Sequence, residues 1–358
     1  MKILIATGIY PPDIGGPATY SKLLFDELPK KGVEVSILSF GEVRTLPKII
    51  RHIVYFLKLL RKTCGVDIVF AQDTVSVGLP ARWASKILRK SFFVRVPGDY
   101  AWEQATQRYG VTDSIDEFQN KKYGWRAEFL RKIQKLTVNG ANVVITPSMY
   151  FKQLVSKWVK NPEKISCIYN GIDLSAIPEP PGIYEPQTII SAGRLVPWKG
   201  FATLIKIMKH LPGWRLYIVG DGPMKKELED LVVQTGVRDK VFFLGQIPRN
   251  ELIKKIQSSE VFVLNTSFES FSFQVVEAMA AGTPVITTNI GNLSEIIDNG
   301  ESGILIVPDD EQALVSAIKH LSLDKLFRQR IIVEAQKKSR QFSIKNTLDN
   351  LLIHLKTL

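Results

Sequence analysis

The sequence predicts an α/β protein built from two doubly wound domains, and three observations carry that prediction. Short β-branched runs alternate with helical patterns from end to end, the signature of parallel sheets covered by helices. A chain of 358 residues exceeds one ordinary core and suits two domains of roughly 100–200 residues each. Between the halves, residues 177–186 read IPEPPGIYEP, and so many prolines exclude a regular element. The expected division is an N-terminal domain over 1–176, a linker over 177–187, a C-terminal domain over 188–340, and a last helix over 341–358 that packs back toward the first domain. Two such sheets are expected to face each other across a cleft at their carboxyl ends, where folds of this class take ligands.

In order along the first half, strands are expected at residues 3–6, 33–38, 68–70, 92–94 and 143–145. In the second half they fall at 189–191, 215–219, 241–243, 261–264, 285–287 and 304–306. After the run 261–264, Val275, Val276, Met279 and Ala280 follow helical spacing toward a stop at Gly282-Thr283-Pro284. Residues 48–62 place apolar side chains among cations at 48, 51, 58, 61 and 62. That pattern fits a core helix with a basic outer face, a helix resting on anionic lipid headgroups, or both at once.

Composition narrows the partners. Apolar residues make up 45% and charged residues 23%, ordinary for a globular chain. Two cysteines give no disulfide framework, and the four histidines show no metal-ligand spacing. Lys2 is followed by only four apolar residues, too few for a secretory signal, and no run of 18 apolar residues exists to span a bilayer. A cytoplasmic location is expected, with peripheral attachment at the inner face of the cytoplasmic membrane. The net charge is +12, and residues 1–178 hold 26 Lys and Arg against 15 Asp and Glu, whereas the remainder is nearly balanced. The surplus points to an anionic partner met by the N-terminal half. Nucleic acid is not expected, because no helix-turn-helix, zinc or base-stacking motif accompanies the charge.

Several strand-end segments carry chemistry. Residues 269–277, ESFSFQVVE, hold Glu269 at a strand tip and Glu277 about a turn and a half into the next helix. A helix start favours anions, so an acid there calls for a sugar or a cation beside it. A solvated turn residue followed by a surface helix residue would give the same letters. SAGRLVPWKG at 191–200 sets Arg194 and Lys199 on one loop, where a guanidinium fork and a mobile ammonium together suit a diphosphate and stabilise its departure without a divalent metal. A solvated basic loop is the plain alternative. Gly15 and Gly16 let backbone N–H groups approach a phosphate, or else make an ordinary turn. VGDGP at 219–223 and FLGQIP at 243–248 offer glycines at sheet tips, suited to a base and a ribose, with simple turns as the alternative.

These segments together resemble the retaining glycosyltransferases of family 4, also called glycosyl transferase group 1, through nearly the whole chain: GGPATY, YNGID at 169–173, SAGRLVPWKG, VGDGP, FLGQIPRNEL, ESFSFQVVEAMAAGTPVI and GNLSEII. The resemblance implies the GT-B arrangement of two facing Rossmann-like domains and transfer of a hexosyl group from a nucleotide diphosphate sugar, such as a UDP- or GDP-sugar, with no metal or other cofactor. It implies that Arg194 and Lys199 hold the donor pyrophosphate, that Glu269 contacts the donor sugar at the reacting centre, and that Glu277 accepts from the ribose hydroxyls. Glu269, Arg194 and Lys199 are thereby the catalytic candidates. Gly16 is implied to approach the phosphates, the amides at Phe271 and Ser272 to cap phosphate or sugar, Gly220 to lie with the donor, and Gly245 to Ile247 to hold the base. A front-face route, with the leaving phosphate taking the acceptor proton, is implied by the family alone.

Two departures stand out. Ser272 replaces a glycine common in relatives, which would tighten the pocket around the sugar. Pro97 stands where many relatives carry a histidine, leaving Asp73 or Asp99 to supply the acceptor-side hydrogen bond. A lipid-linked or cell-envelope glycan, as in lipopolysaccharide assembly, is the expected acceptor. A non-hydrolysing sugar-nucleotide epimerase, or a catalytically silent nucleotide-sugar-binding protein at the membrane, would share the architecture.

Overall fold

The computed structural model describes every residue except 14, 180–183 and 357–358, and gives the backbone alone for 48 and 49. The chain divides into two compact units, Met1–Asn170 with Lys345–Leu358, and Gly171–Ile344.

The first unit runs β1 (Lys2–Thr7), α1 (Gly16–Glu27), β2 (Glu34–Ser39), α2 (Lys48–Thr63), β3 (Ile68–Ala71), α3 (Gly78–Leu88), β4 (Ser91–Arg95), α4 (Tyr100–Arg108), α5 (Ile115–Asn120), α6 (Trp125–Asn139), β5 (Val143–Thr146), α7 (Met149–Ser156) and β6 (Ile165–Cys167). Its sheet is parallel, in the order β2-β1-β3-β4-β5-β6. Ile3, Leu4, Ile5, Phe70 and Phe93 are completely buried, as strands covered on both faces require. The three-residue β6 escaped sequence reading because ISC is too short for an alternating or apolar run to declare itself.

In the second unit the order is β7 (Glu185–Ala192), α8 (Phe201–Ile207), β8 (Arg215–Val219), α9 (Lys225–Thr235), β9 (Val241–Gly245), α10 (Arg249–Ser258), β10 (Ser259–Leu264), α11 (Phe273–Ala280), β11 (Val285–Thr288), α12 (Leu293–Ile296), β12 (Ile304–Ile306), α13 (Glu311–Leu323) and α14 (Lys325–Ser339). The last helix, α15 (Ile344–Lys356), returns the chain to the first unit, where the Thr347 hydroxyl donates to the carbonyl of Tyr169 at 2.8 Å. The sheet, again parallel, is ordered β12-β11-β10-β7-β8-β9. All six residues of β10 are buried. Ile189, Leu204, Ile218 and Val263 anchor the core on one face.

The proline-rich segment needs a correction. Residues 180–183 lie outside the described residues, but Glu185, Pro186 and Gln187, expected in the linker, already belong to β7. Pro186 is tolerated because β8 pairs only from Thr188 onward and the register with β10 shifts between Glu185 and Ile189. At that irregularity Gln187 takes a φ of 54°, and its N–H donates to Glu260 at 2.5 Å.

Both sheets reverse their strand order at one place, between β1 and β3 in the first unit and between β7 and β10 in the second. Connections leave such neighbours on opposite faces of the sheet, so a crevice opens at their carboxyl ends.

Candidate active site

In the second unit the loops after β7, β8, β9 and β10 are laced together by backbone hydrogen bonds. Gly193 N donates to Val219 O at 2.9 Å, Leu195 N to Asp221 O at 3.0 Å, and Gly220 N to Gly245 O at 2.8 Å. Ser267 N donates to Trp198 O at 2.8 Å, and the Thr266 hydroxyl reaches the same carbonyl at 2.8 Å. The spacing leaves no room for side chains at Gly200, Gly220 and Gly222. A Cβ on Gly220 would lie 1.9 Å from Gly193 O, and one on Gly200 would lie 1.7 Å from Asn265 O, with Gly200 at a φ of 62° besides.

This lacing brings together residues seventy positions apart. Lys199, at the end of the Pro197–Lys199 turn, forms a salt bridge through Nζ with Glu269 Oε1, and both side chains are largely buried. They come from the loops after β7 and β10, the two strands that flank the switch point. Arg194, on the same loop as Lys199, is exposed, and its guanidinium has no hydrogen-bond or ion-pair partner among the described residues.

Glu277 lies on α11, 8% exposed at its side chain, and accepts from Arg249 Nε at 2.6 Å. Burial pushes its carboxyl above the usual carboxylate range, and the charge and hydrogen bond of Arg249 oppose the rise. Arg249 opens α10, immediately after the Gly245–Ile247 turn, and also influences Asp173. Sequence reading missed this arginine. A cation in the first turn of a helix opposes the helix dipole and is a weak signal of a specific partner, but nothing in the letters names that partner. Asn265 was missed as well. Its amide donates to Asp309 at 2.8 Å and its carbonyl accepts from Asp309 N at 3.1 Å, bracing the tip of β10 under Gly200.

Ser272, the departure from glycine, has a structural task. It is the N-cap of α11, its hydroxyl accepting from Val275 N at 3.4 Å, and it is 1% exposed, so the extra oxygen is turned into the helix end. Phe271 is packed edge-on against Phe273 and Phe342. Gly245 takes a φ of 66° and Ile247 is half-buried.

The first unit holds the remaining candidates. Gly16 is the first residue of α1, with Pro17 behind it. Asp73 follows β3 at the switch point. One of its oxygens accepts from Val75 N and Val77 N at 2.9 and 3.1 Å, and the other lies 3.1 Å from where a Cβ on Gly8 would stand. Burial raises its carboxyl, countered by backbone N–H groups at 77, 75, 78 and 76. Asp99 is held differently. It caps α4 through Trp102 N at 3.1 Å and accepts from Gln134 at 3.0 Å and Gln119 at 2.9 Å. Asp99 is only 1% exposed, and both of its oxygens already accept within the first unit. Among the described residues no group of three His, Cys, Asp or Glu could hold a metal, and no helix is long and apolar enough to cross a membrane.

Residues 14–176 match the family described as Glycosyltransferase Family 4, and residues 175–338 match the Glycosyl transferases group 1. The chain belongs to the group 1 glycosyltransferases. An uncharacterized glycosyltransferase of Methanocaldococcus jannaschii is 28% identical over 380 residues, covering 94% of this chain and 93% of its own. A lipopolysaccharide core biosynthesis glycosyltransferase of Rhizobium meliloti, LpsD, is 30% identical over 196 residues, 53% of this chain and 55% of its own. Among solved structures, Anabaena HepE in complex with UDP-glucose superposes with a TM-score of 0.81 at 19% identity over the full length of both chains, a likeness of fold. In this group 1 glycosyltransferase the motif residues Lys199 and Glu269 meet at the switch point, whereas the partner of Glu277 is Arg249 of the FLGQIPRNEL segment.

Proposed function

We propose that this glycosyltransferase moves a hexosyl group from a nucleotide diphosphate sugar to an acceptor hydroxyl with the anomeric configuration retained, and that it does so without a metal. The observation that carries the reading is the Lys199–Glu269 pair at the carboxyl ends of β7 and β10. An ammonium held beside a carboxylate at this point is placed for a substrate that is anionic at one end and hydroxylated at the other.

The chemistry then divides among the side chains. Arg194, exposed and unpaired, would grip the diphosphate, and Lys199 would take charge as the bond between the anomeric carbon and the phosphate oxygen breaks. Glu269 would accept from hydroxyls of the sugar while fixing the ammonium. Glu277 would accept from the ribose, with Arg249 holding its carboxylate ionised and oriented. The acceptor oxygen forms the new bond on the face the phosphate leaves, and its proton passes to the departing phosphate oxygen, so no protein base is consumed. Two cations in place of a metal supply the stabilisation of the leaving group.

The acceptor is proposed to be a lipid-linked or cell-envelope glycan, approached from the first unit at an anionic membrane. Support comes from the layer of α2, α3 and α6, which pack in a row. The outer side of this layer exposes Ile50, Ile53 and Leu57 of α2, Trp83 and Ile87 of α3, and Trp125 and Phe129 of α6, while Tyr55 and Leu59 turn inward. Arg82 and Lys86 lie over Trp83, and Arg126 over Trp125, so aromatic rings and cations occupy the same surface, as lipid headgroups favour.

The deciding experiment is a binding panel of UDP-, GDP- and ADP-sugars, followed by transfer to lipid extracts and anomer analysis of the product. Transfer with retention supports the reading. Conversion of a nucleotide sugar with no acceptor present, or inversion at the anomeric carbon, refutes it.

A further inference from the structure

The first unit contains a buried polar layer that the transfer chemistry does not use. Thr7 ends β1, Gln72 follows β3 and Arg95 ends β4. Continuing the registers Ala6 to Ala71 and Ala71 to Val94 by one residue sets these three side chains level on adjacent strands, where they project to one face. Helix α1 covers that face. Ser21 donates to the Thr7 hydroxyl at 3.0 Å, and the Arg95 guanidinium lies over the Tyr20 ring, 4.0 Å from its centroid. Arg95 Nη2 donates to Asn170 Oδ1 at 2.8 Å.

Tyr20, Gln72 and Arg95 are at most 2% exposed. Yet among the described residues the Tyr20 hydroxyl, both amide atoms of Gln72, and Nε and Nη1 of Arg95 lack any hydrogen-bond partner. Among the described residues no carboxylate pairs with the guanidinium. Burial lowers its proton affinity only to about 10, so it stays charged at neutral pH. Native proteins satisfy buried polar groups and pair buried charges. Here the unsatisfied groups are mostly N–H and O–H donors around one positive charge, and they sit at the carboxyl ends of β1, β3 and β4, beside the switch point of the sheet. A neutral occupant would fill the hydrogen bonds and leave the charge.

We propose that Arg95, with Gln72 and Tyr20, forms an oxyanion site that binds a phosphate or carboxylate group carried by a ligand of the first unit. The basic surplus of residues 1–178 draws the same class of ligand. The further step, that this ligand is an anionic acceptor, rests on the transfer reading given above, whereas the anion site itself does not.

The test titrates inorganic phosphate and, separately, acetate into the full chain with UDP present to occupy the donor site, at constant ionic strength, by calorimetry and thermal unfolding. Saturable binding of at least one anion, with a rise in melting temperature, is expected for the wild type. Arg95→Gln should weaken it at least tenfold, and Arg95→Lys should restore part of the loss. The ratio of phosphate to acetate binding tells a phosphorylated ligand from a carboxylated one. No saturable binding of either anion, meaning that internal water fills the layer, overturns the proposal, as does unchanged affinity in Arg95→Gln. Should that variant fail to fold, Gln72→Leu and Tyr20→Phe take its place. Each is expected to weaken the anion several-fold, and unchanged affinity in both overturns the site. Anion binding that depends on Arg95 while no sugar is transferred would refute the transfer reading alone.

Discussion

Lys199 and Glu269 neutralise each other at the tip of the sheet, so removing either leaves the other largely buried without its partner. Lys199→Ala is therefore expected to lower turnover by on the order of 10²–10³-fold, the scale of losing one preorganised transition-state contact, with some loss of stability. Arg194→Ala should also cut turnover by orders of magnitude, but its guanidinium is exposed and unpaired, so the melting temperature should hold. Steady-state rates and thermal unfolding of the two variants separate these outcomes, and unchanged rates in either would remove that residue from the site. Glu277 gives a pH prediction. Its carboxyl is raised by burial, and the ribose requires the ionised form, so the donor KM should climb as pH falls through the raised value. Glu277→Gln should show a high KM without that limb, and Arg249→Gln should move the limb to higher pH, since the group that opposes the rise is gone. A donor KM in Arg249→Gln with the wild-type pH profile would dissociate the pair. At this scale the motifs named Lys199 and Glu269 as candidates, and the structure pairs them. Arg249 was not legible in the sequence, because a contact between the start of one helix and the middle of the next has no signature in spacing.

Each functional loop follows a strand of the parallel sheet, and its shape depends on glycines that admit another backbone. Gly220→Ala would drive a methyl group against Gly193 O, backbone that cannot swing aside, at a φ of 133° that disfavours a side chain. A loss of about 2–4 kcal/mol in stability, with donor binding abolished, is expected from denaturant unfolding and nucleotide titration. Gly236→Ala, at a φ of 70° but with open space around it, tests backbone strain alone and should cost about 1 kcal/mol with binding intact. The helices tell a mixed story. The basic amphipathic pattern of 48–62 predicted a helix, and α2 covers those residues, but the burial of Tyr55 and Leu59 with Ile53 and Leu57 outside was fixed by the sheet it packs on. That α3 and α6, packed in a row with α2, also expose Trp83 and Trp125 could not be read from residues so far apart. Ile53→Asp combined with Leu57→Asp should reduce sedimentation with anionic vesicles at least tenfold while leaving nucleotide affinity unchanged, and equal sedimentation would remove the face from the interaction.

Across the whole molecule, charge and topology were set in different ways. The positive surplus lies almost entirely in residues 1–178, so vesicle binding should fall steeply between low and physiological salt, whereas an interaction carried by the apolar side chains alone would not. Periodicity determined the two parallel sheets, since strands covered on both faces must be apolar throughout, and the glycines and acids of the motifs determined which family the chain joins. Glu185 to Gln187 show the limit. Prolines forbid a central ladder in general, and only the irregular pairing of β7 with β10 and β8 lets Pro186 enter a strand. The two aspartates expected on the acceptor side were alike as letters. Tertiary packing set Asp99 against Trp102, Gln119 and Gln134, and Asp73 against the backbone at Val75 and Val77 beside the first glycine-rich loop. Sequence fixes what a residue is able to offer, a charge, a donor or freedom of φ, because that is local chemistry. Which partner receives it is a property of distance in three dimensions, and for Glu277 and Arg95 that was decided only when the sheets and helices came together.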